Sequence, residues 1–499
     1  MSVPDTYTTL EQRFQRRSRI QDALAILHWD SSTLMPDGAV GGRTDQIAEL
    51  SLIAREILLD PMTSDLLDST EANRSALSGW QSRNLDLMRR EHTLATAVPS
   101  DLVEALQRAG AASEMCWRTA RPGNDFAAQR PHLEEIFRLT REAAASRAAA
   151  LGLSPYDAQL ELFEPGLRDA DIAPVFDDLS GWLPDLVDDI LTRQGAGPQP
   201  VQPVGPFPVP AQKTLGEGLM AALGFDFSQG RLDESAHPFT GGVPDDVRLT
   251  TRYTTDGFAE ALMGILHETG HALYEQGLPV DWRGQPVGGS GGMALHESQS
   301  LAVEMQLCRG PAFARYLSPQ VSAAFGGQPA FDAANLASLV TRVKRGLIRV
   351  DADEATYPLH IIVRYRLEKA LLSGDLSIAD LPGAWNDVMA ELVGVRPPDD
   401  RDGCLQDIHW MDGAVGYFPT YTLGALAAAQ LTAAVRRALP DLDDQVARGD
   451  FSAFLKWLRE KVHALALSRT TGEIIADATG APLSADAFRA HLRTRYLGS

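Results

Sequence analysis

The sequence predicts an all-α protein with one small β-sheet, on three observations. Apolar residues recur at three- and four-residue steps from Leu10 through Ile57 and again from Leu102 to Leu151, among Ala, Glu, Arg and Gln. Gly and Pro are mostly confined to the breaks between such runs. Strand signals are scarce. The best is Val247 to Tyr253, where Val247 and Leu249 alternate with Arg248 and Thr250 beside the turn residues Gly241, Gly242 and Pro244. The two long periodic regions therefore read as amphipathic helices, and Asp256 to Leu492 as mostly helix. No repeat of about 20 to 50 residues supports a solenoid or propeller.

The chain has 499 residues, 45 Lys+Arg against 66 Asp+Glu, and a formal charge of −21, with 44% hydrophobic and 22% charged residues. That balance excludes disordered and fibrous classes, and the acidity argues against nucleic acid or an anionic membrane as partner. Cys116, Cys308 and Cys404 form neither a CxxC pair nor an even disulfide framework, so a reducing, cytoplasmic setting is expected. The opening residues, Met-Ser-Val-Pro-Asp-Thr-Tyr, lead into a charged run with no apolar core, so no secretory signal is expected. Leu423 to Val435 is the most apolar later stretch and is too short to span a bilayer. The run GAGPQPVQPVGPFPVP, residues 195–210, is expected to be a stiff connector within a single 1–499 domain, either a loop joining helices or a hinge.

Residues 256–276, DGFAEALMGILHETGHALYEQ, carry an apolar stripe of Phe258, Leu262, Ile265, Leu266 and Leu273, and predict a helix starting near Asp256. Within it His267-Glu268-Thr269-Gly270-His271 is an HExxH pattern. Four-residue spacing stacks His267 and His271 on one face, so both imidazoles can hold one metal ion with Glu268 beside it. A catalytic zinc takes three protein ligands, so a third must come from elsewhere. After the Gly-rich GQPVGGSGG, residues 284–292, a second helix is expected from Met293, and His296, Glu297 and Glu304 compete for that role. Glu297 is preferred, with Glu304 as a partner that orients a histidine.

HETGHALYEQG from His267 and HESQS from His296 resemble the carboxypeptidase Taq family of zincin metallopeptidases. Four further blocks match it in the family's order: His237-Pro238-Phe239; Asp246 to Thr250 (DVRLT); Ile348 to Asp353 (IRVDAD); and Gly403 to Trp410 (GCLQDIHW). Trp29-Asp30, Met35-Pro36, Arg43 and Gln46 extend the match to the N-terminal region, whereas Arg366 stands where the family pattern suggests an acidic residue. The resemblance implies one large helical body with a deep active-site groove and a small sheet at the cleft, assembled as a homodimer. It assigns His267, His271 and Glu297 as metal ligands and Glu268 as general base.

The expected activity is a metal-dependent carboxypeptidase acting on peptides with a free C terminus. Zn2+ is the expected cofactor, with Co2+ or Mn2+ also accepted by imidazole and carboxylate. Glu268 is to deprotonate the metal-activated water. Tyr421 and His409 are the candidates for stabilising the tetrahedral oxygen. Arg349 is the first choice for the substrate's terminal carboxylate, with Asp351 and Asp353 bracing its guanidinium. His237, Arg248 and Gln406 are further candidate substrate contacts, Arg248 on an edge strand that pairs with the substrate backbone. Trp29 and Trp410 are expected in the core. The competing readings are a zinc oligo- or endopeptidase on a similar helical fold, and a non-catalytic helical metal-binding scaffold.

Overall fold

The computed structural model describes residues 3–498, with side chains from Asp5 onward, so Met1 and Ser2, on which the expectation about a secretory signal partly falls, lie outside the described residues. The periodic run from Leu10 to Ile57 forms two helices, α1 (Val3–Thr33) and α2 (Val40–Leu59), separated where Pro36 precedes a single 3₁₀ turn. They pack with α3 (Pro61–Glu71) and α4 (Gly79–Ala97) around a small core of Leu10, Phe14, Leu58, Leu66, Leu67, Leu85 and Met88. The second run forms α5 (Ser100–Gly123) and α6 (Phe126–Leu151), divided by Asn124 in a left-handed conformation and by Asp125, whose carboxylate caps α6 at the Ala128 N–H.

Helices α7 (Pro155–Phe163) and α8 (Asp169–Ala196) precede the proline-rich segment, and α9 (Val209–Leu223) follows it. The segment is irregular, as its prolines require, and it is tied down along its length. Val201 exchanges hydrogen bonds with Asn335, Val204 with Gln328, and Phe207 is buried between Phe258 and Phe325.

The sheet comprises β1 (Gly230–Glu234), β2 (Thr240–Val243) and β3 (Asp246–Thr251), in the order β1-β3-β2. β1 is parallel to β3 with Leu232 opposite Leu249, and β2 is antiparallel with Thr240 opposite Leu249. The strand carrying Arg248 is thus central, not the expected edge: both its hydrogen-bonding sides are used within the sheet, and an edge falls to β2.

Against the sheet lies α10 (Ala259–Glu275), which starts three residues later than expected because Phe258, not Asp256, occupies the N-cap position. Then come α11 (Met293–Leu301), running directly into a π-helical turn at Ala302–Cys308, followed by α12 (Pro311–Phe325), α13 (Ala333–Val340), α14 (Tyr357–Ser373) and α15 (Leu381–Leu392). The apolar stretch from Leu423 to Val435 forms the middle of α16 (Pro419–Ala438) and is almost wholly buried, packed most closely on α11. Four short helices complete the described chain: α17 (Leu442–Ala447), α18 (Ser452–Lys461), α19 (Thr471–Thr479) and α20 (Asp486–Leu492). Helix accounts for 71% of the structure and strand for 3%, which bears out the all-α expectation. No described helix is long and apolar enough to cross a membrane.

Candidate metal and substrate site

Two glycines let three helices meet closely enough to assemble the site. A Cβ on Gly270 would sit 2.5 Å from Gln299 O and Ser300 Cα, so the HExxH turn of α10 rests directly on the α11 backbone. A Cβ on Gly424 would sit 2.7 Å from Glu297 Cβ and Cγ, so α16 presses the carboxylate-bearing turn from the other side. Between them His267, His271 and Glu297 converge with all three donor atoms within 4.8 Å of one another. Glu297 Oε2 lies 3.5 Å from His271 Nε2 and 4.0 Å from His267 Nε2. Tetrahedral ligands about 2.0–2.1 Å from zinc stand roughly 3.4 Å apart, so the group fits a zinc-sized ion with little contraction.

Each imidazole is fixed through its other nitrogen. His267 Nδ1 lies 3.0 Å from Glu304 Oε2, and Glu304 is in turn held by Arg309. His271 Nδ1 lies 2.6 Å from His296 Nδ1, and His296 Nε2 lies 2.8 Å from Glu275 Oε1. The proton assignment that satisfies this chain has His296 donating to Glu275 and His271 donating to His296, which leaves a lone pair on Nε2 of His271 for a cation. Of the three competitors for third ligand, Glu297 thus faces both histidines, while His296 and Glu304 stand behind them.

The electrostatics also call for a cation. Burial pushes His267 down, yet the Glu304 hydrogen bond and the Glu297 and Glu268 carboxylates outweigh it and raise its pKa to about 10. Burial lowers His271. The acids therefore draw positive charge into the cluster, and a divalent ion held by His267, His271 and Glu297 would supply it.

Glu268 is buried, and its Oε2 accepts a 2.6 Å hydrogen bond from the Thr240 hydroxyl on edge strand β2. Nothing in the sequence singled out Thr240; a lone threonine on a short strand has no spacing signature.

Arg349 opens a short 3₁₀ turn and is buried. Its Nε and Nη2 each lie 2.8 Å from Asp407 Oδ1, and its guanidinium sits 5.0 Å from the Tyr421 ring. Asp407, not Asp351 or Asp353, therefore braces it. Asp353 accepts from the backbone N–H groups of Lys344, Ala355 and Thr356, and Asp351 is exposed. Two guanidiniums, Arg349 and Arg364, outweigh the burial that would raise Asp407 and hold its carboxyl far below the usual range.

Tyr421 and His409 come together, with the phenol oxygen 3.2 Å from His409 Nε2. Burial lifts the Tyr421 phenol to about 12, and burial with Arg349 lowers His409 to about 4, so both are neutral at pH 7. Tyr417 and Tyr357 pack against Tyr421 at 5.2 and 6.2 Å; neither was singled out from sequence, since aromatic residues near a motif look like core.

The other candidates differ in what holds them. Gln406 Oε1 accepts from the Arg349 N–H and Arg364 Nη2, and its Nε2 donates to carbonyls of Leu347, Asp402 and Gly403, so its amide serves the fold. Arg248 pairs with Asp246 and lies 5.9 Å from the Trp29 ring. The His237 side chain is exposed, while its carbonyl accepts from Ser235. Trp29 and Trp410 are buried as expected. Arg366 pairs with Glu391 and contacts the Ser180 hydroxyl.

The family model described as carboxypeptidase Taq (M32) metallopeptidase matches residues 9–496. The chain is 38% identical to thermostable carboxypeptidase 1 of Thermus thermophilus over 497 residues, 97% of each chain. It is 34% identical to carboxypeptidase 1 of Bacillus subtilis over 496 residues, 98% of each. Among solved structures, metallocarboxypeptidase 1 of Trypanosoma cruzi superposes with a TM-score of 0.97 at 39% identity, covering 99% of this chain and 100% of that one. The Pyrococcus furiosus carboxypeptidase gives 0.94 at 30%, covering 98% and 99%.

Proposed function

Because the chain belongs to the carboxypeptidase Taq family of metallopeptidases and is a metallocarboxypeptidase acting on peptides, we propose that it removes single C-terminal residues at a zinc site held by His267, His271 and Glu297. The observation that carries this reading is the convergence of those three donors beside Glu268, with α16 packed between them and Arg349. Tyr421 lies beneath the guanidinium, and Gly424 of the same helix rests on Glu297.

When bound, zinc supplies Lewis acidity, polarising the scissile carbonyl and bringing a water's pKa toward neutrality. Glu268 takes the proton from the attacking water; Thr240 occupies its Oε2, which leaves Oε1 for the water. The same carboxyl then delivers the proton to the leaving amine. Tyr421, kept protonated at neutral pH, donates to the developing oxyanion with neutral His409 behind it. Arg349 uses Nε and Nη2 on Asp407, and its Nη1 has no hydrogen-bond partner among the described residues. That nitrogen is available to the substrate's terminal carboxylate, which is how a chain of charge −21 attracts an anion locally.

Co2+ and Mn2+ suit the same donors. The enzyme is further read as a single-domain, cytoplasmic homodimer: the main core links residues from Leu133 to Tyr496, the N-terminal helices with their small core pack on it through α1 against β2 and α4 against α6, and the three cysteines are unpaired. Sedimentation tests the dimer. The decisive experiment is a mass-spectrometric digest of one peptide in free and C-terminally amidated forms, with and without chelator. Stepwise loss of single residues is expected from the free form alone, abolished by chelator and restored by zinc. Internal fragments from both forms would make the enzyme an endopeptidase.

A further inference from the structure

Arg364, on α14, is a charged side chain with no exposure at all, and it lies outside the sequence blocks that match the family. Its Nε lies 2.6 Å from Asp407 Oδ2, its Nη1 donates to His360 O at 2.7 Å, and its Nη2 donates to Gln406 Oε1 at 2.7 Å. Its guanidinium is 4.6 Å from the Trp385 ring and 5.6 Å from Phe418. If this side chain served stability alone, an apolar residue of similar volume would do as well, because taking a guanidinium out of water costs several kcal/mol.

What it changes is the charge balance at Arg349. Alone with Asp407, Arg349 would form a neutral pair that attracts a further anion weakly. With Arg364 on the second oxygen, one carboxylate serves two guanidiniums, and the buried cluster keeps a surplus positive charge. The imidazoles beside it leave that balance alone: burial and the arginines lower His360 to about 3 and His409 to about 4. The outlet for the surplus is Arg349 Nη1, which has no protein partner among the described residues.

We propose that Arg364 is a positioning residue for substrate selection, drawing Asp407 toward itself so that Arg349 presents an uncompensated charge to the peptide's terminal carboxylate. This rests on the reading of Arg349 as the carboxylate contact.

The test compares Arg364→Met and Arg364→Lys with wild type and Arg349→Ala on an N-blocked dipeptide and its C-terminal amide, with bound metal and circular dichroism as checks on folding. Arg364→Met is expected to raise KM for the free acid roughly tenfold or more, with a smaller change in kcat and wild-type metal content. Its inhibition by an N-blocked amino acid, the carboxylate product mimic, weakens in parallel. Arg364→Lys keeps the charge but loses the fork, and is expected to raise KM about threefold; it decides the matter if the Met variant does not fold. A folded variant of either kind with wild-type KM for the free acid overturns the proposal, as does a loss confined to kcat. If Arg349→Ala abolishes the preference for the free acid while both Arg364 variants keep it, only the present inference fails. If Arg349→Ala keeps the preference, the underlying reading of Arg349 fails.

Discussion

His267, His271 and Glu297 sit on two consecutive helices, α10 and α11, whereas Arg349, Arg364 and Asp407 come from a 3₁₀ turn, a helix and a loop. On the metal side the helical repeat itself aims two of the three proposed ligands, and the hydrogen bonds behind them come from residues within the same stretch, Glu275, His296 and Glu304. The carboxylate side has no such local rule. Its geometry exists only after segments far apart in sequence have packed around Asp407, and its charge is a property of three residues together. The first half depends on distant packing mainly where Gly424 of α16 rests on Glu297, whereas the second depends on it throughout.

The largest test of the metal half is Glu268→Gln. The amide cannot take a proton, so kcat should fall roughly 10²–10⁴-fold while bound metal stays at the wild-type level. Near-normal turnover would place the base elsewhere. Next comes Glu304→Ala, which removes the acceptor fixing His267 Nδ1 and leaves Arg309 without its buried carboxylate. Metal affinity, measured by competition with a chromophoric chelator, should drop about 10–100-fold. Unchanged affinity would mean that the helix alone holds His267, and that the local half is more local still.

These residues were legible because chemistry and period coincide in them: HExxH on an apolar-striped helix, then acids two turns apart on the next. Arg349 and Asp407 each lie within a block that matches the family, yet their pairing was not readable, and Asp351 and Asp353 were the nearer candidates by sequence distance. Sequence proximity misled there because Asp353 is consumed by its own turn's N–H groups. Gln406 misled in the same way, a polar residue in a motif whose hydrogen bonds all go inward. Arg248 reads as an edge-strand residue because one strand signal was visible; β1 and β2, rich in Gly and charge, gave no period-2 pattern to show that it is central.

Both halves hold depressed buried acids, Glu304 at about 2 on the metal side and Asp407 on the other, so the acid test is made at a single residue. Asp407's carboxyl is depressed in the folded state by Arg349 and Arg364, so its contribution is full above the unfolded carboxylate pKa, near 4, and is lost as pH falls below it. Asp407→Asn should take up fewer protons on unfolding, and its stability should fall less steeply between about pH 5 and 2, the difference amounting to about 2 kcal/mol. Denaturant titrations at several pH values read this slope; equal slopes would mean that Asp407 is not held ionised by the pair. Gly424→Ala probes where the halves join. Its methyl would overlap Glu297 Cβ and Cγ, so either α16 moves away or the ligand does. A loss of about 1–3 kcal/mol in stability is expected together with weaker metal binding. Stability lost with metal affinity intact would show that α16, carrying Tyr421, gives way instead.

The smallest effect concerns the support behind α11. Ala466 is fully buried at φ 46° and ψ −138°, a conformation open to glycine and strained for alanine. The turn containing it places His463 Nε2 3.1 Å from Gln299 Oε1, two residues beyond Glu297, and offers Leu467 O to Arg83. Ala466→Gly relieves about 1–3 kcal/mol of strain. It forfeits about 0.8 kcal/mol for one buried carbon and about 0.5–1 kcal/mol in unfolded-chain entropy. The terms nearly cancel, so Tm should rise slightly, with metal affinity unchanged because the His463–Gln299 contact is made by side chains. A clear fall in Tm would mean that the surrounding packing has removed the strain. Weaker metal binding at unchanged Tm would mean that this distant turn sets the register of Glu297, and the metal half would then depend on long-range packing as the carboxylate half does.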